Sequence, residues 1–331
     1  MQVIDYDAII KNAEFFRRRL TRSKLCAVLK NNAYGHGITN VARRIVELVD
    51  CFAVGCVDEA DKIAFLQKDI LILLPQNPRN AEKAIKAGYI VTVDSFVTLK
   101  IVDSAARTVG KKARVHLKID SGMSRLGFDL SQLDELIANL KNSAITVEGV
   151  FSHFYGDKIV ECDRQLECFE KCLSVLRTAL NEPLTAHIAN TGATLLSNKY
   201  HLDMARIGLG LYGYGDNELL PSKKVYADVI AVKSVSAGSV VGYGAKYKCE
   251  RESKIAVLNI GYANGLQRRL VGSNVAINGQ KRPIVAICMA MSMLDVTDID
   301  VNVGDTAVLL GDGINISNDE VIIYELLCNL Q

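Results

Sequence analysis

Apolar residues in the first two thirds of the chain follow two alternating rhythms. Ile9, Ile10, Phe15 and Phe16 stand at helical spacing and predict a helix over residues 5–19. From there short apolar runs alternate with amphipathic stretches. The pattern predicts strands over 26–30, 51–57, 70–74, 90–93, 113–119, 145–154, 184–189 and 204–211. Helices are predicted between them over 37–48, 58–65, 80–87, 95–106, 130–140 and 163–180, with a short one from Thr191. Strand-helix units of this number and length suit a closed parallel barrel, whose chemistry sits at the C-terminal strand ends. An open doubly wound sheet would carry a glycine-rich phosphate turn after its first strand, and residues 31–37 lack the GxGxxG order. Beyond Pro221 the helical period stops and short apolar runs broken by glycine take over, with Asn278-Gly279 as a two-residue hairpin signal. The expected fold is α/β: a (β/α)8 TIM barrel over residues 1–220 followed by a C-terminal all-β domain over 221–331.

Length agrees with one large and one smaller domain. Lysine and arginine total 39 against 37 for aspartate and glutamate, a net charge of +2 that argues against a nucleic-acid partner. No apolar run approaches the roughly 18 residues of a membrane span, and the N-terminus has no signal-peptide pattern. The expectation is a cytoplasmic protein with a small-molecule partner and no membrane contact. Nine cysteines are scattered through apolar runs without paired CxxC spacing, so they read as reduced core thiols and not as disulfides or metal ligands.

Polar residues gather where a catalytic barrel needs them. The first predicted strand delivers Lys30 to the turn Asn31-Asn32-Ala33-Tyr34-Gly35-His36-Gly37, and a strand-end lysine can capture an aldehyde as a Schiff base when packing lowers its pKa. The fifth runs through His116, Lys118 and Asp120 towards Arg125; the sixth ends in Ser152-His153-Phe154; the seventh in His187-Ile188-Ala189-Asn190-Thr191; the eighth carries Arg206 before Ile207-Gly208. Singly each has a bland explanation, such as a satisfied core histidine. Together they place five strand ends on one rim.

These same stretches resemble the alanine racemase family. Ala27-Val28-Leu29-Lys30-Asn31-Asn32-Ala33-Tyr34-Gly35-His36-Gly37 is similar to its pyridoxal phosphate signature. Leu117 through Phe128, Phe151-Ser152-His153-Phe154, His187 through Thr191, Arg206-Ile207-Gly208, Gly261-Tyr262-Ala263-Asn264-Gly265 with Arg268-Arg269-Leu270, and Cys288-Met289 resemble further family blocks in the same order. The resemblance implies a homodimer with shared active sites that interconverts L- and D-alanine with pyridoxal 5'-phosphate, supplying D-alanine for peptidoglycan. It implies Lys30 as covalent holder of the cofactor and base on one face of the substrate, and Tyr262, from the other subunit, as base on the opposite face. Racemisation removes a proton from one face of Cα and returns one on the other, so one base per face is the simplest arrangement. A tyrosine is a weak base near neutral pH. The resemblance answers this with a hydrogen-bonded chain from Tyr262 to His153 and Arg206, both expected to be cationic.

By the same resemblance Arg206 would face the pyridine nitrogen, Arg125 would bind the substrate carboxylate or orient Tyr262, and Met289 would lie near the substrate. Tyr34, Thr191, Gly208, Leu209 and Tyr324 would surround the phosphate, with His187 and Asn190 behind the first contacts. Lys118 matches a position the family often carbamylates. The sequence departs from the family at Ala290, where aspartate is usual, at Asn264 for aspartate, and at Ile207 for proline. The first puts substrate preference in question, and the second is expected to affect turn geometry. The short end at Leu330-Gln331 is expected to weaken the β domain or the dimer. A serine or broad-specificity racemase, a cofactor-dependent amino-acid decarboxylase and a non-catalytic cofactor carrier remain open alternatives.

Overall fold

The computed structural model describes residues 1–330, so the expectation attached to Gln331 lies outside the described residues. The chain divides into two compact units, one made of Tyr6–Ala33 and Gly37–Leu220, the other of Met1–Asp5, Tyr34–His36 and the segment from Pro221 onward. In the first unit, Lys24–Val28, Cys51–Val54, Asp69–Ile72, Ile90–Val93, Ala113–Lys118, Ile145–Phe151 and Thr185–His187 pair in parallel, each with the next. Met204–Ile207 pairs in parallel with Lys24–Val28. Backbone hydrogen bonds from Asp203 N to Ala186 O (3.1 Å) and from Arg206 N to Ala189 O (3.0 Å) draw the remaining edges together. This is the expected eight-stranded (β/α)8 barrel.

Most strands are shorter than their apolar runs. The fifty-one to fifty-seven run ends as a strand at Val54, and the 145–154 run at Phe151. Hydrophobicity reports burial and not ladder pairing, and the residues just past these strands stay buried because they build the rim. The helices that fold back carry their own stop signals. Ser95 caps Phe96–Val109 in a reciprocal capping box with Thr98, and Gly110 ends it in the left-handed region at φ 71°.

In the second unit six strands form a closed antiparallel ring. Lys223–Val235 pairs with Ser253–Leu258, then follow Ser292–Asp295, Gln280–Ile287, Asn274–Ile277 and Thr306–Gly311, which pairs back onto Lys223–Val235. Closure leaves these strands without bare edges. Asn278 (φ 48°) and Gly279 (φ 75°) form the expected two-residue hairpin between Ile277 and Gln280. Gln2–Ile4, predicted as part of the barrel domain, instead pairs antiparallel with Lys223–Val225. Three residues are too few to show a period of their own. All nine cysteines are free thiols, six of them buried. Among the described residues no helix is long and apolar enough to cross a membrane.

Candidate active site

The first barrel strand was expected to run to Lys30 but ends at Val28. The chain then winds through a left-handed helical turn, with φ of 54°, 54°, 55° and 52° at Asn31, Asn32, Ala33 and Tyr34. Asparagine tolerates this region, whereas Ala33 and Tyr34 each cost about 1–2 kcal/mol there. Local hydrogen bonds offset the cost. Ala33 N donates to Leu29 O (2.8 Å), Gly37 N to Asn32 O (3.0 Å), and Ile38 N to the Asn32 side-chain oxygen (3.0 Å). Glu59, which sequence reasoning passed over as an acidic residue in a helix's first turn, accepts from Asn32 N (3.0 Å) and Gly55 N (2.8 Å). Strain of this kind persists only where the surroundings over-determine it, and it clusters at functional sites.

Arg206 is buried at the end of the eighth strand and, among the described residues, donates to neutral acceptors: His187 Nδ1 (2.7 Å), Ser152 O (2.8 Å), His153 Nδ1 (3.1 Å) and Ile188 O (3.3 Å). Burial lowers its pKa to about 10, which leaves it charged at neutral pH. A guanidinium only donates, so both histidines accept through Nδ1 and carry their proton on Nε2. His187 therefore donates from Nε2 to His116 Nδ1 (2.8 Å). Burial, reinforced by Arg206, holds His187 and His153 well below the usual histidine range, and burial with Arg114 and Arg206 brings His116 to about 3. The expectation of a cationic His153 is corrected: the positive charge stays on Arg206, and His153 is neutral and keeps its proton on Nε2. His116 lies on Gly149, where an added Cβ would come within 2.7 Å of the ring.

Phe151 lies against both Lys118 and Arg206. Its ring stacks on His187 at 4.9 Å, with Lys118 Nζ 4.6 Å and Arg206 Cζ 5.3 Å from its centre. Burial first, then Arg206 and Arg125, brings Lys118 from 10.5 to about 7. Beyond Lys118 the chain makes a loop tied at its base, Phe128 N to Lys118 O and Asp120 N to Phe128 O (both 2.9 Å), and Asp120 Oδ1 accepts from Gly122 N (2.9 Å) and Ser124 N (3.1 Å). Arg125 is exposed on this loop. Asn190 caps the helix Thr191–Leu196 by accepting from Ala193 N (3.0 Å). Thr191 Oγ1 accepts from Gly210 N (3.1 Å), which fixes the turn after Gly208 and Leu209. An added Cβ at Gly210 would lie 2.5 Å from Phe16, so only glycine fits there.

In the second unit the Gly261 and Cys288 blocks meet. Tyr262 N donates to Cys288 O (3.0 Å) and Ala263 N to Met289 O (2.9 Å), setting the half-exposed Tyr262 beside the exposed Met289. Asn264 Oδ1 accepts from Gly261 N (3.2 Å), a turn-closing role that an aspartate could also fill. The Tyr34 and Tyr324 rings lie 6.1 Å apart, and burial raises the pKa of both phenols.

The family description for the alanine racemase N-terminal domain matches residues 4–216, and that for the C-terminal domain matches 223–331. The chain belongs to the alanine racemase family. An alanine racemase of Oceanobacillus iheyensis is 35% identical over 329 residues, covering 93% of this chain and 88% of its own length. Among solved structures, the alanine racemase of Streptomyces lavendulae superposes with a TM-score of 0.92 at 32% identity, covering 100% of this chain and 94% of the other. The alanine racemase of Bartonella henselae, solved with covalently bound pyridoxal phosphate, gives 0.90 at 28% identity with 100% and 96% covered. In this member of the alanine racemase family one rim collects Lys30, Lys118, His153, Thr191 and Arg206, while Tyr262, Met289, Tyr34 and Tyr324 lie in the other unit. Glu59 was missed as a site residue, and His116 and Phe151, though read within their strands, were given no role. Glu59 alone left a usable signal, an acid four residues after the glycine that closes a strand.

Proposed function

We propose that this chain interconverts L- and D-alanine by a two-base mechanism, with pyridoxal 5'-phosphate as cofactor and a cytoplasmic homodimer as the working form, and that its D-alanine supplies peptidoglycan. The observation that carries the reading is Arg206: a buried guanidinium held by neutral acceptors among the described residues, on a rim that also presents Lys30 from the turn after the first strand. The donor set suits this cofactor. Lys30 offers an amine, Arg206 offers N–H groups to a ring nitrogen, and the turn after Gly208 starts without a side-chain cap, which suits a phosphate. Tyr34, Leu209, Tyr324 and the Thr191 hydroxyl would complete the phosphate surroundings, with Asn190 fixing Thr191. When bound, the cofactor supplies an aldehyde carbon and a conjugated ring that spreads the charge left on Cα after proton removal.

Lys30 would take or return the Cα proton on one face, and Tyr262 of a second copy on the other. His153, accepting from Arg206 and keeping Nε2–H, would hydrogen-bond the Tyr262 oxygen and favour its deprotonated form. Arg206, permanently charged, would keep the ring nitrogen an acceptor and so restrain electron withdrawal, favouring racemisation over side reactions. Arg125 would receive the substrate carboxylate, beside Met289 at the entrance. Lys118, whose pKa burial lowers to about 7, can attack carbon dioxide through its neutral amine: the new N–C bond gives a carbamate and one proton leaves. That step replaces a cation by an anion between Arg206 and Arg125.

The test incubates cofactor-loaded protein with a panel of L-amino acids and follows each product by chiral chromatography. D-alanine as dominant product supports the reading. D-serine in its place, a decarboxylated amine, or unchanged substrate would each overturn it.

A further inference from the structure

We infer that Glu59 is a positioning residue for Lys30, holding the left-handed turn in the geometry that aims the amine. The inference rests on the assignment of Lys30 as the cofactor-holding lysine. Glu59 sits after the second barrel strand, yet its carboxylate reaches the turn after the first: Oε1 accepts from Asn32 N at 3.0 Å and Oε2 from Gly55 N at 2.8 Å. Lys30 precedes Asn32 by two residues and packs near Gly55. A Cβ built on Gly55 would stand 3.7 Å from Lys30 Cβ and 3.2 Å from Glu59 Oε2, so the lysine stem is packed against the backbone that Glu59 holds.

The turn needs such a clamp. In a right-handed helix the first N–H groups are met by a cap from the residue before, as Ser95 does elsewhere in this barrel. Here Lys30–Gly35 turns the other way, and the Asn32 side chain is already engaged by Ile38 N. Its backbone N–H is met by a carboxylate, the strong form of acceptor, from the helix Val57–Asp61 that follows the next strand. One side chain therefore ties two adjacent strand ends together across the lysine. Relaxation of the turn towards right-handed geometry would swing Lys30 away from the rim without unfolding the barrel.

The experiment uses full-length Glu59→Gln and Glu59→Ala with Lys30→Ala as reference. In the apoprotein, amide hydrogen exchange at Asn32 and Gly55 should accelerate in both Glu59 variants while the rest of the barrel keeps its protection. Capture of added pyridoxal 5'-phosphate, read by its visible absorbance, should slow about ten- to hundredfold, since misplacement of a reacting group by about 1 Å can cost that much. Glu59→Gln, which keeps one acceptor, should fall between wild type and Glu59→Ala. In loaded Glu59→Gln, kcat should drop with KM for alanine unchanged. Wild-type exchange at Asn32 and Gly55, or wild-type capture in both Glu59 variants while Lys30→Ala loses the band, would overturn the proposal alone. A band retained by Lys30→Ala would overturn the Lys30 assignment and this proposal with it.

Discussion

His116 shows how one buried side chain can govern the charge of its neighbours at the rim. Its Nδ1 receives the His187 proton, and this leaves His187 Nδ1 open to Arg206. Replacing His116 by leucine removes the acceptor, so His187 loses the reason to keep its proton on Nε2 and can turn an N–H against the guanidinium. His116→Asn keeps an acceptor near the Nδ1 position. The expected outcome is a fall in kcat of about tenfold, near 1.4 kcal/mol, for leucine and a much smaller fall for asparagine, with nitrogen-15 shifts of His187 reporting the tautomer. Lys118 makes a second claim at this scale, through pH. Its pKa in the folded chain is about 7 against an ordinary 10.5, so between these values the unfolded chain binds more protons and stability rises with pH. Below about pH 7 the buried ammonium is charged and its full penalty is present. In carbon-dioxide-free buffer, Lys118→Met should therefore raise the melting temperature most at pH 6 and least at pH 10, which thermal melts across that range would check. With labelled bicarbonate at pH 8 the wild type should instead show a carbamate carbon signal that the variant lacks, and that fades as pH falls through 7.

Elements fix where these residues stand, and glycines mark where elements touch. At Gly261 an added Cβ would come within 2.4 Å of the carbonyl oxygens of Cys288 and Met289, so the turn carrying Tyr262 rests directly on the backbone of the neighbouring block. Gly261→Ala must push these backbones apart, at about 1–3 kcal/mol by the usual cost of overpacking. The change should lower the unfolding midpoint in denaturant and reduce exchange of the alanine Cα proton on one face more than on the other, measured by deuterium incorporation starting from each enantiomer. Alternating periodicity made the eight barrel strands and the all-β character of the second unit legible, though not its closure, because each strand's apolar run is a consequence of burial. It also put Lys30, His153, His187 and Arg206 at or just beyond the C-terminal ends of barrel strands, within ordered blocks that resemble the family. The left-handed turn was not legible. Asn31-Asn32 permits it, but Ala33-Tyr34 argues against it, and the contacts that enforce it come from Glu59 on a different element. The neutral state of His153 was hidden for a similar reason: only the direction of the Arg206 bond decides which ring nitrogen holds the proton. Gln2–Ile4 was hidden because its partner strand begins more than two hundred residues later, at Lys223.

At the scale of the whole molecule, the distribution of the proposed bases makes assembly a testable part of catalysis. Lys30 belongs to the barrel unit and Tyr262 to the closed β unit, and in the proposed homodimer each site takes Lys30 from one copy and Tyr262 from the other. Lys30→Ala and Tyr262→Phe should each be nearly inactive as pure proteins, one lacking the group that holds the cofactor and the other a base. Mixed in equal amounts and allowed to exchange subunits, about half of the dimers are hybrids. In a hybrid the copy bearing Tyr262→Phe still contributes Lys30, and it faces the intact Tyr262 of the copy bearing Lys30→Ala. That site is complete, while the second site of the same hybrid lacks both groups. One working site in two, in half of the dimers, gives about a quarter of wild-type activity. Sites built within a single copy would pair each intact base with a missing one in every dimer, and mixing would restore nothing. Chiral assay of the mixture before and after subunit exchange, with sedimentation to confirm the dimer, separates the two arrangements.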